Sequence, residues 1–294
     1  MKAIKILLAL SILFTILAGC ANIEKESIIV GSKDFPEQYI LGNMLGLLIE
    51  ANTDLEIIHK DNMASHVIFA AIGSGAVDVY IDYTGTIFGS YLNNSGQKSA
   101  EEVFDISARE LRERYDLLLF EPLGFNNTFC LAVRRDTAEQ YNLRTFSDLA
   151  EVSADFIFGG SAEIISRNDG LPNLKRLYDM SFKEERTLHD VLRYEAIANN
   201  EIQVTEAFST DALLSEFDLV VLEDDKNFFP PYHAVIIIRK DILEKHPELA
   251  EVLDKLTGLI TDNVMRGLNF RADVLGEDPR DVAESFLEEH NLIG

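Results

Sequence analysis

Apolar strands and amphipathic stretches alternate along this chain in two separate runs, and that alternation constrains the fold more than any other feature. In the first run, residues 28–31 read as a strand and 35–51 as a helix with Ile40, Met44 and Leu48 on one face. Residues 55–59 read as a strand and 64–72 as a helix. Val77, Val79 and Ile81 then alternate with Asp78, Tyr80 and Asp82, the period-2 pattern of a half-buried strand. Ser99 and Glu102 form a capping-box pair that opens a helix reaching about residue 115. This order predicts an α/β domain with a largely parallel sheet. The second run reads "TFCLAV" and "DFIFGG" as strands, "LPNLKRLYDM" and "TLHDVLRYEAIAN" as helices, and "IQVTEAF" and "FDLVVL" as strands. "HAVIIIRK" is one more apolar strand, and three helices are expected to close the chain, the last opening at Asp278 with Pro279 in its first turn.

Two segments look like crossings between domains, "GFNNTF" at 124–129 and "NFFPPYHAV" at 227–235. Pro230-Pro231 forbids helix and forces an extended backbone that cannot sit within a sheet. Two crossings imply a discontinuous first domain, residues 27–127 plus 233–294, around an inserted second domain, residues 128–232. A chain that is 47% hydrophobic can build a core in each. The ligand of such a protein lies in the cleft, and closure is a hinge motion.

The leader sets the expected compartment. Lys2 and Lys5 precede an apolar run over residues 6–18, too short to span a bilayer but suited to a secretory signal, which would occupy residues 1–19. It ends in "LAGC", which looks like a bacterial lipobox with Cys20 as the lipidated mature N-terminus and residues 20–26 as a tether. A plain signal peptide with a chance cysteine is the alternative. Cys130 is then the other thiol, with no disulfide partner, and reads as a small buried hydrophobe. With 26 basic and 50 acidic residues, the chain has a formal charge of −24 and no basic stripe, which argues against nucleic acid as a partner.

Enzymatic signatures are sparse. There is no GxGxxG, Walker P-loop, HExxH or GxSxG, the six histidines fall at no metal spacing, and "EDD" at 223–225 lacks an EF-hand frame. No cofactor or metal is expected. Aromatic residues at strand ends and crossings are more informative. Tyr83 ends a strand, Phe129 and Tyr232 sit in the crossings, and Phe208 ends "IQVTEAF". Each alone is explained by core packing. Together they suit a quaternary ammonium, which is attracted to ring faces and has no N–H to donate, at about 0.5–2 kcal/mol per ring.

"GSKDFPEQYILGNML", "DVYIDYTGT", "FNNTF", "RNDGLPNL", "EAFSTD" and "NFFPPYHAV" occur in this order and resemble the osmoprotectant-binding lipoproteins of ABC importers. These are binding proteins for glycine betaine, carnitine and choline, with the two-domain periplasmic-binding-protein type 2 fold. The resemblance covers essentially the whole mature chain. It implies an aromatic cage of Tyr83, Phe129, Phe208 and Tyr232, and a carboxylate site of Lys33, Thr86 and Arg167. Phe129 and Phe208 stand where the family commonly has Tyr, and Pro36 where Thr is common. Gly85 would let the backbone bend so that Tyr83 and Thr86 both face the ligand. In the plainer reading, Lys33 pairs with Asp34 or Glu37 at the surface, and Arg167 with Asp169.

The implied function is that of an extracytoplasmic solute-binding lipoprotein, not an enzyme. It would be anchored to the bacterial cell membrane and would work with an ABC permease and its ATPase subunit. It would act as a monomer. Two other readings stay open, an enzyme on the same scaffold acting on a choline-like substrate, and a lipoprotein scaffold or adhesin.

Overall fold

The computed structural model describes residues 26–166 and 170–294, which build two five-stranded sheets. The strands of the first are β1 (Ser27–Lys33), β2 (Glu56–Met63), β3 (Val79–Tyr83), β4 (Leu117–Leu119) and β10 (Ala234–Arg239), in the order β2-β1-β3-β10-β4. The second takes β5 (Phe129–Arg134), β6 (Ile157–Gly160), β7 (Glu184–Thr187), β8 (Val204–Phe208) and β9 (Leu219–Val221), in the order β7-β6-β8-β5-β9.

Both sheets are mixed rather than largely parallel. β1 pairs in parallel with β2 and β3, and β6 with β7 and β8. β10 runs antiparallel to β3 and β4, and β5 antiparallel to β8 and β9. Each reversed strand is the one that follows a passage from the other sheet. It does not arrive by the helical crossover that keeps successive strands parallel.

β3 also departs from the half-buried pattern, being buried along its whole length. Val79 and Ile81 join the core beneath the helix Pro36–Asn52, while Tyr80 joins the core on the opposite face with Ile68 and Ile87. A strand covered on both faces has no solvent side for its polar residues, so Asp82 is fully buried. The helix Pro36–Asn52 carries Pro36 in its first turn and is buried around much of its circumference, because it packs on β1 and β2 and also under the helices Asp262–Asp273 and Pro279–Glu289.

Four helices rather than three close the chain, the other two being Lys240–Lys245 and Glu248–Asp254. Pro247 separates this pair, as a residue with no N–H to donate should. β4, β7 and the helices Arg135–Tyr141 and Phe146–Val152 were not foreseen. β7 takes Thr187 from a segment read as helix, and that helix begins at Asp190. The capping box does form, with Ser99 Oγ accepting from Glu102 N and Glu102 accepting from Ser99 N.

The two crossing segments lie side by side. Asn126 and His233 form an antiparallel bridge. Asn127 N donates to Tyr232 O at 3.1 Å, and Ala234 N to Phe125 O at 3.2 Å. Side chains add to this pairing, since Thr128 Oγ1 donates to Pro230 O at 3.0 Å and Tyr232 N to Asn126 Oδ1 at 2.7 Å.

Candidate functional site

A cavity of about 510 Å³ opens beside the crossings, and residues of both sheets line it. Lys33, Tyr83, Thr86, Phe129, Phe208 and Tyr232 all face it. Arg167, the seventh expected ligand residue, lies outside the described residues, as does Cys20. Strand ends bring the six together: Lys33 ends β1, Tyr83 ends β3, Phe129 begins β5 and Phe208 ends β8.

Because β5 and β8 are antiparallel, Phe129 and Phe208 are direct cross-strand partners. Their ring centroids are 4.6 Å apart with a 31° interplanar angle. Phe208 remains 42% exposed, an aromatic face turned into the open cleft. Tyr232 approaches from the second crossing and lies on Gly85. A Cβ at Gly85 would come within 2.7 Å of both Pro231 O and the Tyr232 ring. The φ and ψ of Gly85 are −65° and −37°, ordinary helical values. Its role is therefore close approach and not the sharp bend expected from the sequence.

Tyr83 is nearly closed off from solvent, and its ring stacks near Phe35 with centroids 6.4 Å apart. The Lys33 ammonium lies 5.0 Å from the Tyr83 centroid, so this ring already holds an internal cation. The Tyr83 hydroxyl donates to Glu37 Oε1 at 2.6 Å and accepts from Gln38 Nε2 at 3.1 Å. Burial and the Glu37 charge hold its pKa well above the usual tyrosine value.

Lys33 pairs with neither Asp34 nor Glu37 but with the buried carboxylate of Asp82. Asp82 also accepts from Tyr91 Oη at 2.8 Å and from Tyr83 N at 2.7 Å. Lys33 therefore reaches the cavity with its charge already balanced. Thr86 is not in a loop; it opens a π-helical segment, Thr86–Tyr91. The neighbouring Thr84 is tied to the second crossing, accepting from His233 N and donating to Pro231 O.

Sequence reasoning missed the acidic and amide part of the cavity. Glu37 is buried and accepts from Tyr83, from Asn127 Nδ2 at 2.9 Å and from Asn269 Nδ2 at 2.8 Å. Asn269 also donates to Thr210 O at 2.8 Å, joining the helix Asp262–Asp273 to the segment after β8. Glu37 and Asn127 stand in the quoted motifs "DFPEQ" and "NNTF", where a site role was legible. Asn269 had no local signal, being 232 residues from Glu37.

Asp211 and Asp273 complete the polar lining. Asp211 accepts from Tyr194 Oη at 2.6 Å and lies 3.9 Å from the Arg193 guanidinium. Partial burial in the cleft, then the charges of Asp211 and Glu37, raise the Asp273 carboxyl above its ordinary value. Carboxylates thus outnumber the one already paired ammonium among the described lining residues. Ring faces and negative charge in one open cavity are suited to holding an organic cation.

Two α/β lobes around a ligand cleft define a solute-binding protein of the periplasmic type. Residues 26–289 match the family described as the substrate binding domain of the ABC-type glycine betaine transport system, and the chain belongs to that family. It is 35% identical over 280 residues to a carnitine transport binding protein of Listeria monocytogenes, covering 94% of this chain and 91% of that one. It is 37% identical over 274 residues to an ergothioneine transport permease/ergothioneine binding protein of Helicobacter pylori. That match covers 92% of this chain but only 49% of the relative, so the chain spans about half of that protein's length. Among solved structures, a "glycine betaine/carnitine/choline ABC transporter" aligns with a TM-score of 0.87 and 32% identity, over 90% of this chain and 99% of that one.

Proposed function

We propose that this protein captures a trimethylammonium carboxylate in the cavity between its sheets and presents it to an ABC permease. The observation that carries this reading is the meeting of aromatic residues from both sheets, Tyr83 and Tyr232 with Phe129 and Phe208, around one acidic cleft. Carnitine and ergothioneine, named for two relatives, both belong to this ligand class. Phe208 supplies an exposed ring face for the ammonium, with the Tyr232 ring beside it on the same cavity. Tyr83, occupied on one side by Lys33, shapes the wall.

The carboxylate half of the site is assigned to Thr86 and Arg167, with Lys33 contributing through its field while it stays paired with Asp82. The lobes divide at residues 127/128 and 232/233, where the crossings run. Lipid on Cys20 would hold the protein on the outer face of the cell membrane, as a monomer beside its permease and ATPase subunit. The proteins named in the comparisons are components of transport systems, so an enzyme on this scaffold gains no support from them.

Titration calorimetry with glycine betaine, carnitine and choline tests this reading. Binding of a betaine more tightly than choline, with Arg167→Met weakening the betaine by about 2–4 kcal/mol, is the expected result. Choline binding at least as tightly, with no effect of Arg167→Met on betaine affinity, would remove the carboxylate site. No binding of any of the three would remove the proposed function.

A further inference from the structure

We infer that Glu37 is a positioning residue that sets the angle between the lobes and ties it to the ligand cavity. It holds Tyr83 of the cavity wall, the first crossing and, through Asn269, the second lobe in one hydrogen-bonded cluster.

Glu37 stands at the second residue of the helix Pro36–Asn52 and is only 4% exposed. Lys33, a cation of the same cavity, is committed to Asp82 instead. A buried carboxylate without a paired cation is costly unless several donors surround it. The amides of a helix first turn lessen that cost, and three neutral side chains do the rest. Tyr83 Oη and Asn127 Nδ2 donate to Oε1 at 2.6 and 2.9 Å, and Asn269 Nδ2 donates to Oε2 at 2.8 Å.

Each donor belongs to a different part of the molecule. Tyr83 ends β3 of the first sheet and carries the ring beside Lys33. Asn127 lies in the first crossing, and its backbone N–H donates to Tyr232 O of the second crossing at 3.1 Å. Asn269 belongs to the helix Asp262–Asp273, and its amide also donates to Thr210 O at 2.8 Å. Thr210 follows β8 of the second sheet, next to Ser209, whose Oγ accepts from Thr128 N at 3.1 Å. One carboxylate therefore joins a cavity ring to both crossings and, through one amide, to the second lobe.

A rotation about the crossings changes the distances from Glu37 to Asn127 and from Asn269 to Thr210. The cluster thus selects the lobe angle at which all its bonds close. A carboxylate is suited to this. An amide in its place offers one acceptor oxygen and two N–H donors, so at least one converging donor would meet another donor. Because Tyr83 shares the cluster, its ring and the lobe angle are set together.

The test measures the distance between the lobes in the ligand-free full chain, by electron–electron double resonance. Spin labels are placed at Glu113→Cys and Glu151→Cys, exposed helical positions in opposite lobes. Glu37→Gln and Asn127→Ala should each shift or broaden the distance distribution of the labelled chain. Asn127 is only half-buried, so its variant decides the matter if Glu37→Gln fails to fold. The double variant should go no further than Glu37→Gln alone, since both changes cut one cluster. A role confined to stability would lower the urea midpoint and leave the distribution as it was, and that result overturns the inference.

Calorimetry with glycine betaine and carnitine supplies a second readout, which rests on the trimethylammonium reading above. Asn127→Ala should weaken both ligands by the same factor, about threefold or more, because it acts on the lobe angle and not on a ligand contact. Unaltered affinities, or a loss confined to one ligand, overturn the inference. If the wild-type chain binds neither ligand, the trimethylammonium reading falls and the distances alone decide the role of Glu37.

Discussion

Lys33 and Asp82 show how much a single pairing decides. A buried ammonium without its carboxylate loses stability by about 3–5 kcal/mol, so Asp82→Asn should lower the chemical-denaturation free energy by that amount. Retention of wild-type stability would mean that the pair is not closed to solvent in solution. Tyr232→Ala should weaken a trimethylammonium ligand by about 1–3 kcal/mol through lost ring contact and admitted water, as read by calorimetry. Phe208→Tyr, which keeps the ring face, should stay close to wild type. Equal affinities across all three proteins would place the ligand elsewhere. The rings were legible in the sequence because each ends a strand or sits in a crossing. The partner of Lys33 was not, since Asp82 lies 49 residues away and its burial follows from the sheet order. Glu37 stands within a motif, but its three donors come from separate elements, so its hydrogen-bond partners were hidden for the same reason.

Among the elements, the second crossing carries a titratable group. His233 is partly buried, and desolvation lowers its pKa from 6.5, although Asp262 and the Phe125 backbone act in the opposite direction. The unfolded chain therefore takes up this proton more readily than the folded one, and stability falls as pH drops through the unfolded value. Urea midpoints should decline between about pH 7.5 and 5.5, and His233→Gln should flatten part of that slope. A slope identical in the variant would assign the pH dependence to other groups. Long elements with a clear period were readable, notably the helices Pro36–Asn52 and Ala100–Tyr115. The three-residue β4 and four-residue β7 were not, since so few residues show no period. Strand direction was misread because the return strands arrive from the other sheet.

At the scale of the molecule, the two-lobe α/β architecture followed from two runs of alternation joined by a Pro-Pro crossing, without any knowledge of distant contacts. The meeting of lobes through Asn269 and Thr210 needed the folded chain. Saturating ligand should draw the lobes together and reduce the radius of gyration in small-angle scattering. An unchanged radius would rule out closure by rotation about the crossings. The hydrogen-bonded pair of crossings has a mechanical consequence. Tyr232 lies in one of these paired strands, and its own backbone carbonyl accepts from Asn127 of the other. If the lobes turn about these crossings, the cavity-lining Tyr232 ring is mounted almost on the fulcrum, where a turn displaces atoms least. The outer rims lie at the far ends of the levers, so a small adjustment around a bound solute becomes a much larger stroke at the surface. A permease reading those rims would detect occupancy without ever touching the solute.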